Sequence, residues 1–243
     1  LISESLAEYT ALMVAQHRYG AENLQSFLKY DLDRYLRGRA QESKKENVFI
    51  NCNRPYQWYQ KGSLILYALQ DFVGEKQLNS QIRAFRDSFG LRETPPFPGS
   101  YDLYAFVEKA VPDSLRYFLE DSWLKLALYE NRIISAKAKD LGNNRYEVTL
   151  KVKAAKKYAD DKGNEAEAPN TNDYIDIGVF AEDKVEDNGK KRVQPLYLKK
   201  HRLTNGEHTI TLQIEGKPVR AGIDPLNKLI DRVPEDNRVG VEF

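Results

Sequence analysis

NRIISAKAKDLGNNRYEVTLKVKA, residues 131–154, is where the hydrophobic period of the chain changes. Tyr146, Val148, Leu150 and Val152 alternate with Arg145, Glu147, Thr149 and Lys151. That period of two belongs to a strand with one buried face. Gly142-Asn143-Asn144, just before it, is a turn signal. The alternation returns at Ile175, Ile177 and Val179, and again at Ile210, Leu212 and Ile214. Turn-forming clusters at 160–164, 187–189 and 205–206 separate these runs. About seven short strands at this spacing predict an antiparallel, Ig-like β-sandwich over residues 131–243. Residues 158–172, polar and containing Pro169, read as a long mobile hairpin loop.

Upstream the spacing is helical. Leu6, Tyr9, Met13 and His17 mark one helix face, with His17 expected to pack; Leu24, Phe27, Leu28, Leu32, Tyr35 and Leu36 mark a second. Polar residues 39–53 read as loop. A third helix is predicted from about Tyr56 to Val73, with Pro55 at its first turn and Gly74 as its stop. Leu78, Ile82 and Phe85 mark a fourth. Beyond the helix-forbidding TPPFPG run at 94–99, two more follow around Leu103–Val107 and Leu115–Leu126. Of 15 tyrosines 11 fall in residues 1–130, as do Trp58 and Trp123, so the aromatic anchors concentrate where the helices are. The expectation is an α+β chain of two domains, helical over 1–130 and a β-sandwich over 131–243.

Composition narrows the function. With 37 basic and 36 acidic side chains the net charge is +1, which argues against a phosphate-driven nucleic-acid partner. The apolar runs are too short to span a bilayer, and no signal peptide opens the chain. The segment is therefore expected to be soluble. One cysteine, Cys52, excludes an internal disulfide framework and reads as a loop thiol. His17, His201 and His208 are scattered, with no pair at zinc-ligand spacing, and the last two read as solvent-facing. Lysine pairs at 44–45, 156–157 and 190–191 read as solvation. The chain begins at Leu1, without Met, inside a helical pattern, and is expected to be a fragment of a longer protein.

Two segments stand out as carriers of chemistry. In SESLAEY, residues 3–9, Ser5 and Glu8 have capping-box spacing, which leaves Glu4 unexplained. In YQWYQKGSLILYAL, residues 56–69, Gly62 interrupts a helix at a cost of about 1 kcal/mol against Ala. A helix keeps such a glycine where something packs closely. Tyr59, one turn earlier, has a phenol able to donate to a developing oxyanion while staying neutral.

In this order the two segments resemble the gluzincin aminopeptidases of peptidase family M1. That family carries an HExxH helix, then a motif like NEGFAEY whose Glu is the third zinc ligand, then a Tyr-Glu-Lys-Gly helix. Ser3-Glu4-Ser5-Leu6-Ala7-Glu8-Tyr9 stands in the first position and Tyr59-Gln60-Lys61-Gly62-Ser63-Leu64 in the second. Ser5 replaces Gly, Leu6 replaces Phe and Gln60 replaces Glu. LRYFLEDSWLKL at 115–126 and IDPLNKLIDRVPEDN at 223–237 resemble later features of the family. The resemblance implies the helical half of a thermolysin-like catalytic domain followed by the sandwich. It implies that Glu4 is a zinc ligand and Tyr59 the phenol that stabilises the tetrahedral intermediate, with a peptide as substrate. HExxH and the GxMEN amino-terminus recognition segment are not in this chain. The expectation is therefore a fragment inactive alone and without its own zinc, whose parent binds Zn²⁺ through an upstream half of the same polypeptide. The alternative is a non-catalytic peptidase-like scaffold. For that alternative the resemblance extends to bacterial proteins that fuse this domain to transporter-like membrane helices, which implies a membrane-associated parent; a third reading makes 131–243 an adhesion-type sandwich that the helices only support.

Overall fold

The chain is described by a computed structural model over residues 1–42, 46–160, 162–185 and 191–243. The lysines at 44, 45 and 190 and the turn signal at 187–189 lie outside the described residues. Helices and antiparallel sheets together make an α+β protein, arranged in two compact units. One unit holds Leu1–Ala15, Tyr30–Ala127 and Ala159–Asn164; the other holds Gln16–Lys29, Leu128–Tyr158 and Glu165–Phe243. The changeover falls just before the expected boundary at 130. Two short exchanges, 16–29 and 159–164, cross it, which a linear reading of periodicity does not anticipate.

The helices are α1 (Ile2–Tyr19), α2 (Gln25–Ala40), α3 (Gly62–Val73), α4 (Glu75–Phe89), α5 (Ser100–Glu108) and α6 (Arg116–Trp123). The centre of the first unit is α3, buried on every side from Gly62 to Gln70. Its Leu64, Leu66, Tyr67 and Leu69 are almost fully excluded from water, as are Leu78 of α4, Leu103 and Val107 of α5, and Leu119 and Trp123 of α6. Each such aliphatic side chain contributes about 1.5–3 kcal/mol on burial. Trp123 is held edge-on by Phe49 and Tyr104, with ring centroids 5.0 and 5.5 Å away. Gly74 ends α3 at φ 92, a conformation only glycine adopts without strain, and its N–H closes on the Gln70 carbonyl at 2.8 Å. No helix among the described residues is long and apolar enough to cross a membrane.

The strands are β1 (Ala127–Tyr129), β2 (Arg132–Gly142), β3 (Arg145–Ala154), β4 (Lys156–Ala159), β5 (Glu165–Glu167), β6 (Asp173–Phe180), β7 (Lys184–Val185), β8 (Lys191–Arg192), β9 (Pro195–Leu203), β10 (Gly206–Glu215), β11 (Arg220–Ile223) and β12 (Arg238–Gly240). One antiparallel sheet runs β10-β3-β2 and another β12-β11-β6-β9. Val148, Leu150 and Val152 point inward from β3, as the alternation requires, whereas β6 is buried on both faces, with Asp173, Asp176 and Phe180 enclosed as well as Ile175, Ile177 and Val179. Asn143 and Asn144, at φ 54 and 58, make the two-residue turn between β2 and β3, where both central residues need positive φ. Within the stretch 158–172, read as a mobile hairpin loop, the described residues include the end of β4, a turn and β5, which pairs with β4, and Ala168 donates back to the Lys156 carbonyl at 2.8 Å.

Lys156 also departs from expectation. Its ammonium is buried and bonds both oxygens of buried Asp173 at 3.0 and 2.8 Å. The closing stretch 223–237 forms a buried polar knot. Asp224 accepts from the backbone N–H groups of Lys228 and Leu229, each at 3.0 Å, and Asp176 holds the ammonium groups of Lys200 and Lys228 at 3.1 and 2.9 Å. Burial, with Asp176 and Asp231 nearby, pushes the Asp224 carboxyl well above the usual range.

Candidate active site

The first turn of α1 sets the position of Glu4. The helix begins at Ile2, and the Ser5 N–H already bonds the Leu1 carbonyl at 2.9 Å. Ser5 is therefore not an N-cap, and the expected capping box with Glu8 does not form. Instead the buried Ser5 hydroxyl donates to the Trp58 carbonyl at 2.7 Å. Glu4 lies in the first turn, where the positive end of the helix dipole favours a carboxylate.

The segment that receives this bond is not regular α-helix. Residues Gln57–Lys61 form a π turn, in which the Gly62 N–H reaches back five residues to the Gln57 carbonyl. Gln57, fully buried, fixes its start: Oε1 accepts from the N–H groups of Asn53 and Arg54 at 3.0 and 3.2 Å, and Nε2 donates to the Asn47 carbonyl at 2.8 Å. Lys61, also buried, fixes its end through Glu46 at 2.7 Å. The same Glu46 oxygen accepts the Tyr35 hydroxyl at 2.7 Å, and Arg39 stands 3.6 Å from the other oxygen.

Gly62 explains how close α1 comes. A Cβ on this residue would stand 2.7 Å from the Ser5 Cβ and still closer to its Oγ. The approach is possible only because residue 62 has no side chain. It brings the two singled-out residues close enough for the Glu4 carboxylate to act on the Tyr59 phenol. The Glu4 carboxylate as acceptor, then burial, then the charges of Glu4 and Glu8, raise the phenol above its ordinary pKa, so it stays protonated. Tyr9, the last residue of the first segment, donates to Asn79 at 2.8 Å and ties α1 to α4.

Two further groups complete the site. The Ser63 hydroxyl lies 2.6 Å from Asp31 and 2.8 Å from the Gln60 carbonyl and shares its one hydrogen between them. Burial raises the Asp31 carboxyl to about 6, with the Ser63 bond opposing, Glu8 adding to the rise and Arg34 opposing it. Asp31 was legible as unusual, because Leu24, Leu28, Asp31, Tyr35 and Gly38 follow one stripe of α2, and Asp31 takes an apolar position on it. Gly38 is there for contact: a Cβ would meet the Tyr56 ring at 2.5 Å. Beside Tyr59, on the side of α2, a groove of about 480 Å³ is lined by Arg34, Arg37, Gln41, Tyr56, Tyr59 and Gln60.

The Asp31 shift has a measurable consequence. Its folded pKa lies above the ordinary 3.8, so the folded state holds the proton more tightly. The contribution of Asp31 to stability is full below pH 3.8 and is lost as pH rises through about 6. The shift corresponds to about 3 kcal/mol, which solvent screening of this half-buried group reduces to about 1 kcal/mol. Asp31→Asn, which keeps an acceptor for Ser63, is expected to gain about 1 kcal/mol at pH 8 and nothing at pH 4. Urea midpoints at the two pH values check this, and a loss at pH 8 would contradict it.

The other expected residues lie elsewhere. His17, expected to pack, is instead exposed on α1. His201 is half-buried on β9, where the Tyr197 hydroxyl meets its Nε2 at 2.8 Å, and burial lowers its pKa; it is not simply solvent-facing. His208 is likewise half-buried and bonds the Thr204 carbonyl at 2.8 Å. Cys52 follows a short 3₁₀ turn, half-buried, with its thiol pushed up by burial. Among the described residues no group of three His, Cys, Asp or Glu side chains could hold a metal ion. Glu4 thus offers one carboxylate of the kind zinc accepts, and among the described residues the remaining ligands of a zinc site are not grouped with it. No protein-family model matches the chain, and no curated protein matches it.

Proposed function

We propose that this chain is the C-terminal part of a zinc-dependent aminopeptidase of the gluzincin type, inactive by itself, with Glu4 as a metal ligand and Tyr59 as an oxyanion-stabilising phenol. The helical unit is read as part of a thermolysin-like catalytic domain. The β10-β3-β2 and β12-β11-β6-β9 sheets are read as an immunoglobulin-like sandwich. The observation that carries the reading is the close approach of α1 to the π turn, through Ser5 at Trp58 and Gly62, which sets the Glu4 carboxylate to act on the Tyr59 phenol. Two residues far apart in sequence, one from each motif, come together in the first unit.

In this reading an upstream HExxH segment supplies two histidine ligands and a general-base glutamate. Zinc, when bound, polarises the peptide carbonyl and acidifies a water. The residues of this chain have separate tasks. Glu4 presents its carboxylate from a helix fastened by the Ser5–Trp58 bond, on a face that a pair of histidines one turn apart on another helix would not reach. Tyr59 keeps its proton and offers it as a hydrogen bond where negative charge develops on the carbonyl oxygen. The π turn aims the phenol, and the Gln57 and Lys61 anchors hold that turn at both ends.

The test is made on the parent polypeptide with its upstream segment. Glu4→Ala is expected to abolish stoichiometric zinc and the hydrolysis of aminoacyl-anilides together. Unchanged zinc content in that variant would refute the ligand role.

A further inference from the structure

We infer that the groove formed by α2 and the π turn binds a carboxylate of the peptide substrate, with Arg34 and Arg37 as its anion-binding residues. The assignment rests on the peptidase reading for its substrate, because Tyr59, which that reading places at the scissile carbonyl, is also a wall of the groove. Arg34 and Arg37 stand one turn apart on α2 and share a face. The groove is lined by two guanidinium groups, two phenols and two side-chain amides, with no carboxylate among its lining residues.

The two arginines are differently engaged. Arg34 bonds the Tyr30 hydroxyl at 3.0 Å and lies 5.4 Å from that ring's centroid, which steadies its plane. Arg37 is exposed and makes no ion pair among the described residues. A guanidinium presents a planar fork of N–H donors that matches a carboxylate. Gln41 and Gln60 add neutral donors and acceptors suited to a peptide backbone. An extended peptide advances about 3.3–3.6 Å per residue. A groove that starts at Tyr59 therefore takes an acidic group close to the scissile bond: the free carboxyl terminus of a short peptide, or an Asp or Glu side chain near it.

Binding is measured on the chain as it stands, without metal and without turnover, so the result is independent of the zinc and Tyr59 tests. The isotope-labelled chain is titrated with acetyl-diglycine, with its carboxyl-terminal amide, with acetyl-aspartyl-glycinamide and with inorganic phosphate, and backbone amide shifts are followed. Saturable shifts confined to 34–41 and 56–60 are expected with one or both carboxylate peptides. A response to the first alone identifies a chain terminus, and a response to the third identifies an acidic side chain as sufficient. Arg37→Gln is expected to weaken binding about fivefold, in the range of an exposed charged contact. Arg34→Gln with Arg37→Gln is expected to abolish it, whereas Arg86→Gln on exposed α4 changes nothing. Equal binding of the amide, equal or tighter binding of phosphate, or unchanged affinity in the double variant would overturn the proposal.

Discussion

Tyr59→Phe in the zinc-loaded parent is expected to retain its metal and lose turnover by about two to three powers of ten. The substitution removes one oxygen and leaves the ring where it is. Glu4 keeps its place because α1 is fastened through Ser5 to Trp58 and through Tyr9 to Asn79, neither of which involves the phenol. What is lost is a donor aimed at the atom that becomes negative. A loss of that size in kcat with KM little changed is the signature of a contact made chiefly in the transition state. Zinc analysis alongside steady-state kinetics checks it. Loss of metal in Tyr59→Phe would mean the phenol supports Glu4 and does not act on the substrate.

Lys61→Met is expected to destabilise the chain by about 3 kcal/mol, with no ligand present. Lys61 and Glu46 are both buried, at 1% and 4% exposure, and their charged atoms meet at 2.7 Å. Methionine fills much of the volume but leaves the Glu46 carboxylate without its closest cation. The Tyr35 hydroxyl and the more distant Arg39 remain, which places the effect at the lower end of the range for a broken buried pair. Lys61→Met combined with Glu46→Leu is expected to recover most of the loss, because no charge is then left buried alone. Urea unfolding of the single and double variants makes the comparison. A single variant within about 0.5 kcal/mol of the parent would contradict this picture of the π turn's anchor.

The architecture was legible where the physical signal is local. A period of two at Arg145–Lys153 and a glycine at position 74 each mark their element within a few residues. Gly62 gave a subtler signal: a glycine inside an otherwise strong helix implied close packing, and its neighbour is the Ser5 side chain. The π turn left no such mark. Its one-residue offset spans only Gln57–Lys61 and runs straight into α3, whose side chains are buried all round, so no apolar stripe records the shift.

Tertiary partners account for the remaining departures. Ser5 had the local spacing of a capping box, yet its hydroxyl found the Trp58 carbonyl instead. Glu46 sits in a polar stretch that reads as loop, and only its contact with Lys61 and Tyr35 shows that it belongs to the interior. Lys156 looked like surface for the same reason, because Asp173, which neutralises it, comes from another strand. Glu4 and Tyr59 were chosen from motif order. The physical cause of their meeting, a glycine that lets α1 touch the π turn, appears only in three dimensions.

The most direct measurement determines zinc content and aminoacyl-anilide hydrolysis together on the parent and its two site variants. Metal with turnover is expected in the parent, metal without turnover in Tyr59→Phe, and neither in Glu4→Ala. Full activity in both variants would contradict it.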